Sequence, residues 1–176
     1  MSNFNLIIDN RENSLIQLFE ENNITIKKQN LDIGDIIIEY NDEPIIIIER
    51  KTLTDLNTSI IDGRYKEQKV RFINTNQQCK KIYLLEKTGF IKENIYDSVK
   101  INSIFRDDIY IYETKNVDDT FDFLNKCLKN FEKYKDKWIN GLNINYIDNV
   151  NVIKKRIWIK IQYKYFNYLL FQVFLK

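Results

Sequence analysis

Apolar and polar positions follow two different rhythms along the chain, and these rhythms predict its elements. Short runs rich in Ile, Tyr and Phe, bounded by Asn, Asp, Gly or Pro, are typical of strands, whereas apolar positions three or four residues apart indicate helices. The predicted strands are 4–8, 24–29, 35–40, 45–50, 82–86 and 109–113. The predicted helices are 14–22, a short one near 53–59, 64–76, a helical stretch within 92–104, and 117–135. Because strands and helices alternate, the predicted class is α/β, with a mixed central sheet flanked by helices on both faces.

The most informative segment is a predicted hairpin with charged residues at its end. Residues 45–48 are four consecutive isoleucines, which indicate a strand covered on both faces. Residues 41–44 are typical of a turn and would fold the segment 35–40 back onto this strand. In that pairing Asp35 faces Glu49 within one residue of register, and directly opposed Cβ atoms lie roughly 5 Å apart.

Alternation along the strand sorts the charged residues at its end. Glu49 and Lys51 share one face, while Arg50 points to the other. Two carboxylates, Asp35 and Glu49, could share one cation and so relieve their mutual repulsion. A site of oxygen ligands, with positions left for water and phosphate, favours Mg²⁺, or Mn²⁺ in its place, over zinc.

A third acidic group follows the first predicted strand. The apolar run 6–8 ends at Asp9, and Glu12 lies in the loop just after it. In open α/β sheets, sites form at the carboxyl ends of strands, so both acids are candidates for the same site. An acid at a strand end is more commonly a solvated terminus, and a lysine there is commonly a solubilising cap. The coincidence of these residues on one predicted sheet edge is what favours a functional site.

The residue types at this edge suit hydrolysis of a phosphodiester. Such a reaction needs an activated water, neutralised charge on the phosphate and a stabilised leaving oxygen. A divalent ion on the carboxylates could supply the first two, and Lys51 would orient or deprotonate the water. The chain contains no histidine, which excludes a histidine general base and histidine-bound zinc.

Four segments, in order and at matching spacing, closely resemble the XPF/Mus-type structure-specific endonucleases of the PD-(D/E)XK superfamily. They are Asp9 to Glu12, Leu31 to Asp35, Ile48 to Lys51 with Asp55 and Leu56, and Ser59 to Phe72. The segment Ile82 to Glu86 is similar to the strand that follows in the Mus-type branch, so the resemblance spans about residues 4–135.

The resemblance implies a restriction-endonuclease-like nuclease fold and a divalent-metal DNA endonuclease. The expected reaction is nicking of one strand of branched DNA, such as a 3′ flap or a fork-like junction, in repair or recombination. The resemblance implies these roles: Asp35 and Glu49 as metal ligands, Lys51 as the catalytic lysine, Asp9 and Glu12 as supporting acids, and Arg50 and Asp55 completing the motif. The position of Asp9 at a strand end makes it a further candidate ligand of the same ion. The resemblance also implies pairing with a second copy or a second nuclease-like chain, and a nuclear location if the source is eukaryotic.

The helix that follows the motif has a polar face. Arg64, Gln68 and Arg71 recur at intervals of four and three residues, so guanidinium and amide groups share one side. Such a face could hold DNA phosphates. The same pattern also fits a solvated amphipathic helix with Tyr65 and Phe72 turned inward.

Length and composition predict one domain with an appendage, and the resemblance implies that these are a nuclease domain, 1–137, and an extension, 138–176. The two cysteines, Cys79 and Cys127, lack metal-type spacing, so free thiols in a reducing compartment are expected. No run reaches the ~18 apolar residues of a membrane span, and no leader is evident, so we expect a soluble intracellular protein without membrane contacts.

Net charge is only +2, yet it is unevenly distributed. Residues 151–176 carry six basic side chains and no acidic one, with aromatic residues between them. Lys154, Lys155 and Arg156 are therefore candidates for DNA contacts, although a partner-docking helix fits the pattern equally well. In the resembling family this region opens helix–hairpin–helix motifs, but no glycine follows Gly141, so the extension would be a remnant or a truncated version.

Two other functions remain open on the sequence. One is a nuclease-like module that binds branched DNA or scaffolds a partner without cutting. The other is a restriction-type enzyme of the same superfamily, which shares the acid and lysine chemistry. The presence of Glu49 and Lys51 favours cutting over scaffolding, and the segment Ile61 to Tyr65 favours the structure-specific branch.

Overall fold

The computed structural model describes residues 4–75 and 79–135, and the elements within these ranges follow the predicted alternation. They are β1 (Phe4–Asp9), α1 (Asn13–Glu21), β2 (Lys27–Gln29), β3 (Ile36–Tyr40), β4 (Glu43–Thr52), α2 (Leu53–Ile61), α3 (Arg64–Asn74), β5 (Lys80–Glu86), α4 (Glu93–Phe105), β6 (Tyr110–Thr114) and α5 (Val117–Lys133). The predicted extension, 138–176, with Lys154, Lys155 and Arg156, lies outside the described residues.

The strands form one sheet in the order β2-β1-β3-β4-β5-β6. β3 runs antiparallel to both β1 and β4, whereas the pairs β1–β2, β4–β5 and β5–β6 are parallel. The mixed sheet is therefore confirmed, and so is the hairpin, in which Ile36 pairs with Ile48. Continuing this register by one residue sets Asp35 beside Glu49, as the turn at 41–44 predicts.

Each face of the sheet buries its own apolar cluster. Ile46 and Ile48 point to one face, where they pack with α1 and α5 through Leu15, Phe19 and Leu124. Ile47 points to the other face, where its cluster includes residues of α2, α3 and α4, among them Leu56, Phe72 and Val99. Helices on both faces explain why four isoleucines in a row form a strand without a polar side.

Two local predictions are wrong. The strand predicted at 24–29 is reduced to β2, since Ile24 and Ile26 pack against the core cluster without joining the sheet. The start of the helix predicted at 14–22 is also off by one residue, because the helix begins at Asn13. Glu12 occupies the capping position, but its side chain makes no capping hydrogen bond.

Gly34 allows the loop before β3 to approach β4 closely. Its φ of +75° lies in the left-handed region, and a Cβ built there would lie 2.7 Å from Ile47 Cγ2 and 3.1 Å from the Ile48 carbonyl oxygen. The next residue, Asp35, donates its amide to that same carbonyl at 2.9 Å. The glycine thus lets the chain bring Asp35 against the end of β4.

Both cysteines are free thiols, Cys79 buried and Cys127 half-buried, in agreement with the prediction. Among the described residues, no helix has the length and apolar character needed to span a membrane.

Candidate active site

A pocket with a volume of about 310 Å³ opens where β4 ends. Its walls come from β4, from the loop that precedes β3 and from the faces of α2 and α3 that look towards them. The lining residues are Arg11, Asp32, Ile33, Gly34, Asp35, Glu49, Arg50, Lys51, Asp55, Gln68, Arg71 and Phe72. The structure therefore brings together seven of the predicted site residues from three separate segments.

Glu49 and Lys51 lie on the same face of β4, as strand alternation predicts. The Lys51 Nζ lies 3.1 Å from Glu49 Oε1 and donates a hydrogen bond to Gln68 Oε1 at 3.0 Å. Both charged side chains are mostly buried, with 16% of Glu49 and 11% of Lys51 exposed. The ammonium is therefore held in one position, beside a carboxylate and facing the pocket.

Asp35 is a half-buried acid of the pocket. Its Oδ2 accepts a hydrogen bond from the Arg50 amide at 2.9 Å. Burial, together with the negative charge of Glu49, raises the pKa of Asp35 from its usual value to about 7. A carboxyl with such a pKa needs either a proton or a cation at neutral pH.

Arg50 points to the opposite face, where it joins two acids. Its Nη1 contacts Glu12 Oε2 at 2.7 Å, while its Nε and Nη2 donate to Glu86 Oε2 at 2.9 and 2.7 Å. Burial raises the pKa of Glu12, and the Arg50 charge opposes that shift. Glu12 is thus engaged in an ion network on the far side of β4, although the prediction places it with the supporting acids of the site.

Glu86 is a member of this network that the sequence reasoning did not select. It is buried at the end of β5 and also accepts a hydrogen bond from the Thr120 hydroxyl on α5 at 3.3 Å. The signal was present, since Glu86 ends an apolar strand just as Glu49 does. The parallel pairing of β4 with β5 brings these two strand ends to the same edge of the sheet.

Asp9 does not line the pocket, in contrast to its prediction as a metal ligand. Its Oδ1 accepts from the Arg11 amide and from Nε, at 2.8 and 2.7 Å, and its Oδ2 accepts from Arg11 Nη2 and the Leu31 amide, at 3.0 and 2.7 Å. These hydrogen bonds lower the pKa of Asp9 to about 2. With both oxygens occupied in a residue that is 1% exposed, a ligand role would require this arrangement to break.

Asp55 and the predicted DNA-binding residues of α3 occupy different surroundings. The Thr52 hydroxyl accepts from the Asp55 amide at 3.0 Å and donates to its carboxylate at 2.6 Å, so Thr52 caps α2, and Asp55 lines the pocket from the first turn of that helix. Gln68 and Arg71 line the pocket, but Arg64 does not, and its guanidinium pairs with Asp62. The predicted DNA-binding roles of all three stay predictions.

The donor set fits a hard divalent cation bound largely through water. Among residues 4–75 and 79–135, no group of three or more His, Cys, Asp and Glu side chains is arranged as a metal centre. Asp35 and Glu49 nevertheless line one pocket, where burial and the charge of Glu49 raise the pKa of Asp35. Mg²⁺ commonly binds through one or two carboxylates, keeps several waters and recruits substrate phosphate.

Comparison with known proteins points to a nuclease family. The family model described as "ERCC4 domain" matches residues 8–127. The "Probable crossover junction endonuclease mus81" of Dictyostelium discoideum is 30% identical over 167 residues, covering 74% of this chain and 18% of that protein. The "Crossover junction endonuclease MUS81" of Kluyveromyces lactis is 35% identical over 112 residues, covering 60% of this chain and 18% of that protein. The chain thus spans about a fifth of the length of these relatives.

Solved structures show the same fold. "XPF from Aeropyrum pernix" superposes with a TM-score of 0.59 at 20% identity, covering 71% of this chain and 60% of that one. "XPF from Aeropyrum pernix, complex with DNA" gives a TM-score of 0.56 at 19% identity, covering 76% of this chain and 65% of that one. At this level of identity, the match confirms the predicted nuclease fold.

Proposed function

Because the chain belongs to the ERCC4 domain family of XPF/Mus-type nucleases, we propose that it is a metal-dependent DNA endonuclease that nicks one strand of branched DNA. The preferred substrates are proposed to be 3′ flaps and fork-like junctions, as the resemblance implies. The names of the relatives support action on DNA junctions.

One observation supports catalysis above all others: the pocket brings two acidic residues and one ammonium together in a single solvent-accessible cavity. Asp35, Glu49 and Lys51 line it, and Lys51 contacts Glu49 at 3.1 Å. Burial and the charge of Glu49 raise the pKa of Asp35, so the pair is poised to accept a cation. A purely structural ion cluster would instead satisfy its charges internally, as Arg50 does with Glu12 and Glu86.

Each residue of the pocket has a distinct part in the proposed mechanism. Asp35 and Glu49 would hold Mg²⁺ or Mn²⁺, which supplies charge neutralisation on the attacked phosphate and a more acidic water. The ammonium of Lys51 would orient the attacking water or donate a proton to the leaving oxygen, while Gln68 and Glu49 keep it in place. Arg71, on the wall formed by α3, is positioned to contact a phosphate oxygen.

We also propose that the active form contains a second nuclease-like subunit, either another copy or a related chain. The outer side of α4 supports this, because it leaves apolar side chains in solvent: Ile101 is 56% exposed, Ile104 47% and Phe105 83%. Neighbouring β6 is an edge strand with Tyr110 half-exposed. The mass of the purified protein in solution, measured by light scattering, tests this proposal.

A non-cleaving DNA-binding or scaffold subunit is the second candidate function. The position of Asp9 favours it over a three-acid metal centre, because the Arg11 contacts remove one proposed ligand from the pocket. The retained contact between Lys51 and Glu49 favours catalysis, since a scaffold has no need for an ammonium held in a cavity.

A cleavage assay distinguishes the two functions. The purified chain is incubated with labelled flap, fork, four-way and linear duplex DNA, with Mg²⁺, with Mn²⁺ or with chelator. We expect a nick in one strand of the flap or fork, only with metal, and none in the duplex. Binding of branched DNA without any nick in either metal would support the scaffold instead.

A further inference from the structure

Arg11 stands at the rim of the pocket, and the predicted site does not include it. Its side chain lines the pocket together with Asp35, Glu49 and Arg71, yet 71% of it remains exposed to solvent. We propose that Arg11 contacts a backbone phosphate of the bound DNA, and that Asp9 is the positioning residue that holds it there. This inference rests on the proposed function and extends it by one substrate contact.

The hydrogen bonds of Asp9 fix the direction of the Arg11 side chain. The carboxylate meets Arg11 Nε and Nη2 side-on, at 2.7 and 3.0 Å, and it also accepts from the Arg11 and Leu31 amides. Four hydrogen bonds on a carboxylate that is 1% exposed form a rigid support. Asp9 thus ties together the end of β1, the loop before β3 and the guanidinium.

This side-on arrangement leaves part of the guanidinium available. Within the described residues, Nε and Nη2 make the hydrogen bonds of the Arg11 side chain, with a longer one from Nη2 to the Leu31 carbonyl at 3.4 Å, and Nη1 makes none. A guanidinium has five N–H donors in a planar fork that matches phosphate oxygens. Because the side chain is already ordered, contacting a phosphate costs less conformational entropy than it would for a free arginine.

The position of Arg11 also suits a charge role beside the acids. Hydrogen bonds to Asp9 raise the pKa of Arg11 further, and the carboxylates of Asp35 and Glu49 contribute in the same direction. Arg11 is therefore charged at every physiological pH, and Lys51 and Arg71 are further cationic residues of the same lining. A phosphodiester approaching two carboxylates needs such positive charge around it.

Arg106 offers a matched control on the same chain. Its side chain is 64% exposed, and it also pairs side-on with a buried carboxylate, through Nε and Nη2 to Asp107 at 2.8 and 3.1 Å. Arg106 lies after α4 and does not line the pocket. Its removal therefore takes away one positive charge and one similar ion pair without touching the proposed contact.

The test is equilibrium binding of a fluorescent 3′-flap DNA at several salt concentrations, in chelator so that no cleavage occurs. The variants are Arg11→Gln, Arg11→Lys, Asp9→Asn and the control Arg106→Gln. We expect Arg11→Gln to weaken binding about tenfold and to reduce the slope of log K against log salt by about 0.7 to 0.9, the value for one phosphate contact. Arg11→Lys should keep the slope, Asp9→Asn should weaken binding by a smaller factor, and Arg106→Gln should match the wild type.

Three results would overturn the inference alone: unchanged slope and affinity in Arg11→Gln, equal losses in Arg11→Gln and Arg106→Gln, or an affinity loss that follows a lowered melting temperature with no change of slope. The last result would mean that Arg11 only supports the fold. Failure of the wild-type chain to bind any branched DNA would overturn the proposed function and this inference together. Binding of branched DNA by the wild type therefore distinguishes failure of this inference from failure of the proposed function.

Discussion

Three consecutive residues of β4 point alternately to two charged regions, one on each face of the sheet. The two regions differ in how their charged groups are paired. On the side of α2 and α3, the pocket holds Asp35, Glu49 and the ammonium of Lys51. On the side of α1 and α5, Arg50 lies between two acids, Glu12 and Glu86. Each side has a pair of carboxylates beside one cation, and the pocket has further acidic and basic residues in its lining, so that pair alone does not distinguish the two regions.

The difference lies in how completely the hydrogen-bonding groups are satisfied. Arg50 uses Nε, Nη1 and Nη2, and Glu86 additionally accepts from Thr120. Across the strand, within the described residues, the Asp35 carboxylate accepts a single hydrogen bond, from the Arg50 amide. The satisfied network fixes the end of β4, whereas Asp35 and Glu49 line a cavity where we propose that a cation and a phosphate bind. Alternation along one strand thus places a stabilising ion network on one face of β4 and the proposed site on the other.

Loss of the pocket ammonium should have the largest effect on activity. We expect Lys51→Met to lower the single-turnover nicking rate by about 10² to 10⁴, the usual contribution of a positioned acid or base. Its free energy of unfolding should change by about 1 kcal/mol or less. A nicking rate within a factor of two of wild type would remove Lys51 from the mechanism.

Loss of the buried cation behind the strand should instead affect stability. Arg50→Met leaves Glu12 and Glu86 facing each other, with 15% and 5% of their side chains exposed, and should lower the free energy of unfolding by about 3 to 5 kcal/mol. Urea denaturation measures this change.

The control for Arg50 is Lys28→Met, which breaks an exposed pair between Lys28 and Glu20. We expect a change of about 1 kcal/mol or less for that variant. Equal losses in Arg50→Met and Lys28→Met would show that the network does not support the strand.

The pocket acid should make the metal-free protein less stable at high pH. The folded-state pKa of Asp35 is about 7, above its usual value of 3.8. Between pH 3.8 and pH 7 the folded protein therefore binds more protons than the unfolded chain, and the free energy of unfolding falls as pH rises through this range. Asp35→Asn removes this dependence and should raise the free energy of unfolding at pH 8 by on the order of 2 kcal/mol.

Urea denaturation of the wild type and of Asp35→Asn, at pH 5 and pH 8 in chelator, measures whether the substitution raises or lowers the free energy of unfolding. Adding Mg²⁺ at pH 8 should stabilise the wild type but not Asp35→Asn. A variant that is less stable than wild type at pH 8 would contradict the claim that ionised Asp35 destabilises the metal-free protein.

Two glycines test how tightly the loop before β3 packs against β4. Gly34 and Gly63 both have positive φ, +75° and +81°, but a Cβ meets Ile47 at Gly34 and nothing within 4 Å at Gly63. Gly63→Ala should therefore cost about 1 kcal/mol, and Gly34→Ala about 2 to 3 kcal/mol. Thermal denaturation checks both, and equal losses would show that the loop before β3 adapts freely.

The sequence predicts the parts of the fold that depend on local pattern. The turn at 41–44 and the isoleucines on either side specify the hairpin, and alternation alone places Glu49 and Arg50 on opposite faces. The insertion of β3 between β1 and β4 follows from long-range pairing, which no local pattern encodes. The strand expected at 24–29 shortens because burial of Ile24 and Ile26 requires packing but no pairing.

The sequence predicts the part of the candidate site that depends on which strand ends lie together. It does not predict which neighbouring group each side chain contacts. Asp35, Glu49 and Lys51 meet in one pocket because their strands end together. The sequence cannot show that Asp9 turns to Arg11, because the choice between a cavity and a neighbouring guanidinium depends on side-chain conformation.

We propose that Asp35 and Glu49 together hold a divalent cation in this pocket. Titration of the metal-free chain with Mn²⁺, followed by electron paramagnetic resonance, tests it most directly. We predict that the wild type and Asp9→Asn bind the ion, while the double variant Asp35→Asn with Glu49→Gln loses that binding. Equal binding by the wild type and the double variant would contradict the claim.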